Sequence, residues 1–473
     1  MAARELARAS KRVTILEARD RCGGRIHPLP FADFGYPAEG GAEFVHGEAP
    51  VTNGLLREAG LSLLTIEGTQ WTVEDGMLSG EGSQDPHEAQ LHKALQELQG
   101  DLTVAEFLRR HFAGSEYDRL RHSIERMAEG YDAADPKRAS ILALRDEWMD
   151  GGRSRQARIV GGYGALVDFL TGECRNHGVA IHLGSAVSAM EESDGRSVVR
   201  CSNGDAHECD AVILTVPLPL LKEIVLPPAE RERVAAAANI GFGNVIKILL
   251  RFETRWWGDK RKDLADLTFL LSDARIPVWW TQHPAEHPVL TGWFGGPKTE
   301  TMASLNEQEL IEAGLASLAN IFDLDPKQLM RNLVAARAIN WAHDTYAHGA
   351  YSYATPETRK AQSTFASPEG GLIFFSGEAL YRGWDMGTVE AALTNGLETA
   401  RAILAAAQHD TYLNYETALL FTRHSSCRRM ATSSLLIHAL TVPTGTRRYL
   451  AISWCVRPST IARSRLARRF GSS

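Results

Sequence analysis

The sequence predicts an α/β protein, with a Rossmann-like domain assembled from discontinuous segments and a second domain of α+β type. Three observations predict it. Val13 to Leu16, Ala211 to Val216 and Leu372 to Phe375 are short apolar runs, rich in β-branched residues, that read as buried parallel strands and lie far apart in the chain. Each is followed by a turn or a helix. Between the first two lies a helix-rich block, while 241–295 is strand-rich, which fits a second architecture inserted into the first.

The elements follow in order. A helix over Ala2 to Ala9 leads into the strand Val13 to Leu16 and a glycine turn. Helices are expected over His87 to Leu98, Val104 to Phe112, Tyr117 to Ala128 and Ala139 to Met149, the second of them started by a capping box of Thr103 and Glu106. A strand is expected over Ala180 to Leu183. Ile246, Ile248, Leu250 and Phe252 alternate with Val245, Lys247, Leu249 and Arg251 as a strand. Helix returns from Asn306 to Phe322. From Met386 to Ala407, Val389, Leu393, Leu397, Ala400 and Leu404 recur at helical spacing, giving an amphipathic helix that can pack on a sheet.

Composition narrows the class. The 473 residues suggest two or three folded units, and 44 % apolar with 23 % charged residues is the composition of an ordinary globular protein. No stretch approaches the roughly 18 consecutive apolar residues of a membrane-spanning helix, and the run from Ala211 to Val225 is broken by Pro217 and Pro219. Six cysteines without C-x-x-C spacing argue against a zinc site and a disulfide scaffold and fit a cytoplasmic protein. Arg4, Glu5, Arg8, Lys11 and Arg12 interrupt any secretory apolar stretch. The net charge of -7 is uneven: 409–473 carries ten arginines, no lysine, Asp410 and Glu416, hence +8, against -15 for the rest. These arginines are not interleaved with aromatics on a regular face, so a solvated extension, or a tail translated from an altered reading frame, is expected there rather than a nucleic-acid arm.

The strand Val13 to Leu16 ends in Glu17, where a Rossmann-type unit places an acidic side chain to accept hydrogen bonds from ribose hydroxyls. Gly23 and Gly24 let backbone approach a ligand closely, and Arg25 can pair with a pyrophosphate. On pattern alone, an ordinary glycine turn with surface arginines reads equally well.

The run Ile15-Leu16-Glu17-Ala18-Arg19-Asp20-Arg21-Cys22-Gly23-Gly24-Arg25 resembles the second strand and following turn of the flavin amine oxidases, the group of monoamine oxidases, polyamine oxidases and flavin-dependent histone demethylases. Further blocks match in order up to about residue 407. Gly41-Ala42-Glu43-Phe44-Val45-His46-Gly47 resembles the segment that lies along the flavin and opens the substrate cavity. Val245-Ile246-Lys247 resembles the strand carrying the family's active-site lysine, and Gly349-Ala350-Tyr351-Ser352-Tyr353 the segment supplying an aromatic wall. Phe375-Ser376-Gly377-Glu378, then Gly383-Trp384-Asp385-Met386-Gly387-Thr388-Val389-Glu390, resembles the closing cofactor motif. One departure stands out: the fingerprint's acidic residue lies roughly 20 residues after its first glycine, so that glycine would fall before Met1. The first strand and the G-x-G-x-x-G loop are therefore expected to be missing, leaving an unpaired strand edge.

The resemblance implies a discontinuous FAD-binding domain (1–47, 156–225, 346–408), a substrate-binding domain (48–155, 226–345) and a basic tail (409–473). It implies that Glu17, Gly24, Arg25, Gly41, Ala42, Glu43, Phe44, Val187, Gly377, Glu378, Thr388 and Val389 bind FAD. Val187 would meet adenine through its backbone, Glu378 would accept from flavin hydroxyls, and Thr388 and Val389 would open a helix whose N-terminus faces the flavin. Tyr351 and Trp384 would be facing aromatic walls, and Lys247 would hold a water near the flavin and serve reoxidation by O2. By pattern alone most such lysines point to solvent. His46 is as often a structural hydrogen bonder as a group that binds or deprotonates an amine. Ala350 stands where monoamine oxidases carry a flavin-linked cysteine, so FAD is expected to be non-covalent. The expected reaction oxidises a small polyamine or monoamine to an imine and then an aldehyde, with O2 reduced to H2O2. The alternatives are an inactive or flavin-free fold acting by binding and, more weakly, a flavin desaturase of a hydrophobic non-amine. No metal is implied, and the sequence sets no oligomeric state.

Overall fold

A computed structural model describes residues 1–74, 76–80, 85–149, 156–193, 196–366, 372–406 and 448–455. Two sheets organise them. The first runs in the order Ile373–Phe375, Val212–Leu214, Arg448–Cys455, Arg12–Leu16, Ala180–His182. The second has seven strands, ordered Leu333–Asn340, Val245–Phe252, Val289–Gly295, Val278–Trp280, Leu267–Leu271, Thr69–Glu74, Met77–Ser79. Smaller sheets join Val45–His46 and Leu63–Thr65 to Gln156–Ile159, and build an antiparallel layer from Val187–Ser193, Arg196–Cys201 and Ala206–Cys209.

Val212–Leu214 is buried throughout, and Arg12–Leu16 and Ile373–Phe375 for most of their length, which is why these strands read as continuous apolar runs. Ala3 and Leu6 of the helix Ala2–Arg8 pack on Val13, Leu16, Ile213 and Ile373 in one core. Ile246, Ile248 and Leu250 pack with Trp257, Trp279 and Leu318 in a second core, beneath the helix Glu307–Phe322. Asn306 caps that helix with a full capping box to Glu309. The strand Val245–Phe252 is buried along nearly its whole length, so the alternation at 245–252 does not mark a wet face: Lys247 is 0 % exposed.

Three expectations change. The Thr103 hydroxyl accepts from the Glu106 amide, but the Glu106 carboxylate pairs with Arg109 and Arg110 instead of returning to the cap, because two guanidiniums within one turn outcompete one amide. The edge expected to be unpaired beside Arg12–Leu16 is covered: Arg448–Cys455 pairs with it in parallel and with Val212–Leu214 antiparallel. Main-chain donors and acceptors in a buried sheet must be matched, and this strand supplies the match. A solvated extension is thus the wrong description for 448–455, while 409–447 and 456–473 lie outside the described residues. Finally, the amphipathic helix begins at 389, not at Met386, and is helical through 406. Thr388 is its cap, its hydroxyl accepting from the Ala391 amide at 3.1 Å. Among the described residues no helix is long and apolar enough to cross a membrane.

Candidate functional site

A cavity of about 1360 Å³ is lined from both large sheets, and every site residue expected from the sequence lines it. Glu17 and Arg25 arrive from the end of the strand Arg12–Leu16, Lys247 from the second sheet, and Glu378 from the turn after Ile373–Phe375. Arg25 donates to a Glu378 carboxylate oxygen at 2.8 Å and to the Ala350 carbonyl at 2.8 Å. Ser352 donates to the same Glu378 oxygen at 3.1 Å. The second carboxylate oxygen of Glu378 is buried and has no hydrogen-bond partner among the described residues. A buried, cavity-lining acceptor in that state fits a ligand hydroxyl. Glu17 accepts from the Arg19 amide at 3.0 Å, and burial pushes its carboxyl above the usual range against the pull of that amide and of Arg19.

The glycine at 41 is enforced by contact. A Cβ there would lie 1.9 Å from the Arg25 carbonyl oxygen, so only glycine lets this segment run against the Arg25 turn. That approach sets the Gly41 carbonyl 3.1 Å from the Lys247 ammonium, which also donates to Glu43 Oε2 at 2.8 Å. Glu43 Oε1 accepts from Arg158 Nε at 2.8 Å and Gln282 Nε2 at 3.1 Å, and the Trp280 indole N–H spans both carboxylate oxygens at 3.1 and 3.2 Å. Burial raises the Glu43 carboxyl, but Lys247 and Arg158 outweigh it and hold the group down at about 2. The oxygens of the Glu43 carboxylate are therefore taken by protein donors.

The aromatic side of the cavity is built by Tyr351, Trp384, Trp293, Trp280 and Phe44. Trp293 stacks on Tyr351 with ring centres 6.5 Å apart, and the Tyr351 hydroxyl donates to the Tyr131 carbonyl at 2.6 Å. The Tyr131 hydroxyl meets His46 Nδ1 at 3.0 Å. Burial drives the Tyr351 hydroxyl well above its usual range, with Asp132, Tyr131 and Glu147 adding to the effect, so it stays a neutral donor. Asp132 and Glu147 line the same cavity. Tyr131, Asp132, Glu147, Arg158 and Trp280 were not legible in the sequence. They sit in no motif, and Tyr131-Asp132 simply follows the helix Asp118–Gly130.

The model for flavin containing amine oxidoreductases matches residues 1–404. The chain belongs to this family. Probable polyamine oxidase 4 of Arabidopsis thaliana is 27 % identical over 420 residues, covering 80 % of each chain. Lysine-specific histone demethylase 1 homolog 3 of the same plant is 30 % identical over 276 residues, 55 % of this chain, which spans only 16 % of that protein. Among solved structures, putrescine oxidase bound to putrescine superposes with a TM-score of 0.69 at 20 % identity over 85 % of this chain and 96 % of that one. Cyclohexylamine oxidase from Brevibacterium oxydans gives 0.69 at 19 % identity, over 86 % and 96 %. These two likenesses show the fold: an α/β FAD-binding domain with a substrate-binding domain. FAD is the family's cofactor, and the Arg25–Glu378 pair with its unsatisfied carboxylate oxygen fits it. With alanine at 350 no thiol is offered there, and FAD is non-covalent.

Proposed function

We propose that this oxidoreductase oxidises a di- or polyamine at a carbon–nitrogen bond, yielding an imine that water splits into an aldehyde and a smaller amine or ammonia. The observation that carries this reading is an aromatic wall and two carboxylates in one cavity: Tyr351, Trp384 and Trp293 line it together with Asp132 and Glu147. Bound FAD would take up the two electrons and two hydrogens lost by the amine and deliver them to O2 as H2O2. Glu17, Arg25 and Glu378 would hold its hydroxyls and pyrophosphate, the 389–406 helix terminus at Thr388 and Val389 its ring, and the backbone at Val187 its adenine.

The chain's own residues set the protonation state. Loss of a hydride equivalent from carbon needs a neutral nitrogen with a free lone pair. Tyr351, Trp384 and Trp293 withhold solvation from a charged amine and so favour the neutral form at the reacting nitrogen. Asp132 and Glu147 favour the charged form at a nitrogen further along the substrate. His46, which meets the Tyr131 hydroxyl at 3.0 Å, would accept the proton that a charged substrate amine sheds before it is oxidised. A cytoplasmic site of action fits the scattered cysteines.

Steady-state oxidation of spermidine and phenylethylamine by Asp132→Asn and Glu147→Gln tests the reading. KM for spermidine is expected to rise roughly tenfold, the size of one lost charge-assisted contact, with that for phenylethylamine little changed. An equal loss for both amines, or a purified full chain that shows no flavin absorbance, sinks it.

A further inference from the structure

We propose that Glu43 is the positioning residue for Lys247, fixing the direction of its ammonium at the cavity wall and supplying its counter-ion. The inference rests on the reading of the cavity as an amine-oxidising site and adds to it the device that governs its lysine. A lysine ammonium has three donors. Two are committed, to the Gly41 carbonyl at 3.1 Å and to Glu43 Oε2 at 2.8 Å, which leaves the third for the cavity that Lys247 lines. The Trp280 ring lies 5.4 Å from the same ammonium, and Trp280 in turn donates to Glu43. Lys247 thus has no freedom to swing: its long stem is in a strand whose cross-strand neighbours are Trp293 and Ile339, and its head is pinned at two acceptors.

The charges around Lys247 explain why a carboxylate is needed at 43. A fully buried ammonium with only a carbonyl and an aromatic face for partners would be penalised as a cation, because burial disfavours the charged form. Glu43 supplies the compensating anion. Arg158 shares that anion at 2.8 Å and donates on to the Thr281 and His283 carbonyls at 2.9 and 3.3 Å, so the carboxylate cannot rotate away from Lys247. Glu39 is the other acid that acts on Lys247; its effect is electrostatic, and among the described residues no hydrogen bond joins the two. The three charged heads of Glu43, Lys247 and Arg158 sum to one positive charge beside the cavity. Replacing Glu43 by a neutral residue therefore removes the ammonium's counter-ion and shifts its balance toward the neutral amine, which would face the cavity as an acceptor instead of a donor.

The test is an NMR titration of lysine side chains in the full-length protein, with the Lys247 signal assigned from Lys247→Arg, alongside flavin reoxidation by O2 followed across pH. In the parent protein the Lys247 signal supplies the reference midpoint, and reoxidation is expected to vary little with pH. In Glu43→Gln the Lys247 midpoint is expected to fall by about two pH units, as a lost buried counter-ion requires. Its reoxidation should then decline with rising pH through that midpoint and return to the parent rate in acid. Glu43→Asp should restore most of the parent behaviour, and Glu39→Gln should move the midpoint less than Glu43→Gln does. A Lys247 titration and reoxidation profile that are unchanged in Glu43→Gln overturn the proposal. Should Glu43→Gln fail to fold, Glu43→Gln/Lys247→Met decides: recovery of folding supports an orphaned cation, and continued failure assigns Glu43 a purely structural role and overturns the proposal. The lysine titration needs no flavin, so a colourless protein would refute the amine-oxidising reading while leaving this one to its own result.

Discussion

Two buried glutamates four positions apart have opposite fates, and their partners decide it. Glu43 is met by a lysine, an arginine, an indole and an amide, and its carboxyl stays ionised down to about 2. Glu39 is 4 % exposed and accepts from the Gly164 amide at 2.9 Å, but burial outweighs that bond and raises its carboxyl from 4.5 to about 7. Linkage gives each a direction. Glu43 adds stability above the ordinary carboxylate value and loses it as pH falls from there toward about 2. Glu39 binds its proton more tightly folded than unfolded, so stability is full below 4.5 and declines as pH rises through about 7, by up to about 3 kcal/mol. Glu39→Gln should flatten that part of the stability profile and raise the thermal midpoint at pH 8 relative to pH 5. Calorimetry at the two pH values measures it, and an unchanged pH dependence would show that Glu39 titrates normally.

Elements matter here mainly for what they bring to their ends. The turn at Gly41 carries a carbonyl to Lys247 only because no side chain separates it from Arg25. Gly41→Ala should therefore cost at least about 1–3 kcal/mol through forced backbone displacement, read as a lower denaturation midpoint. It should also weaken flavin retention, because the displaced backbone is Arg25's own. The strand Arg448–Cys455 pairs on both sides, sitting between Arg12–Leu16 and Val212–Leu214. Ending the chain after residue 406 would leave both neighbours with open edges. The expected result is a lower unfolding temperature and concentration-dependent association, seen by calorimetry and light scattering; an unaltered monodisperse protein would show that this pairing carries no stability.

At the scale of the molecule, the site is an encounter of segments distant in the chain: Arg25 and Glu378 are 353 positions apart and 2.8 Å in space. Removing either side should loosen the cofactor. Glu378→Leu and Arg25→Ala are each expected to weaken FAD binding by roughly tenfold to a hundredfold, the range for one lost charge-assisted hydrogen bond. Retained flavin absorbance after gel filtration and back-titration of the apoprotein measure the effect, and undiminished retention would remove this pair from the cofactor site.

The sequence by itself determined what local pattern and order can carry. It set the buried strands, the helix starts at Thr103 and Asn306, and the ordered blocks around Glu17, Arg25, Glu43, Lys247, Tyr351 and Glu378, because each is readable within a few neighbouring residues. Only the tertiary structure decided which of these groups spend their charge on one another. Glu43 reads as a ligand-facing acid until Arg158, Trp280 and Gln282 converge on it from distant parts of the chain. Lys247 reads as a solvent-pointing lysine until its strand is buried on both faces. The run Tyr449-Leu450-Ala451-Ile452 is apolar enough to read as a strand, but its place between two others was not legible, since a central strand is defined by the open edges it closes. Pairing of buried charges and of strand edges depends on distances across the fold, and no spacing along the chain encodes those.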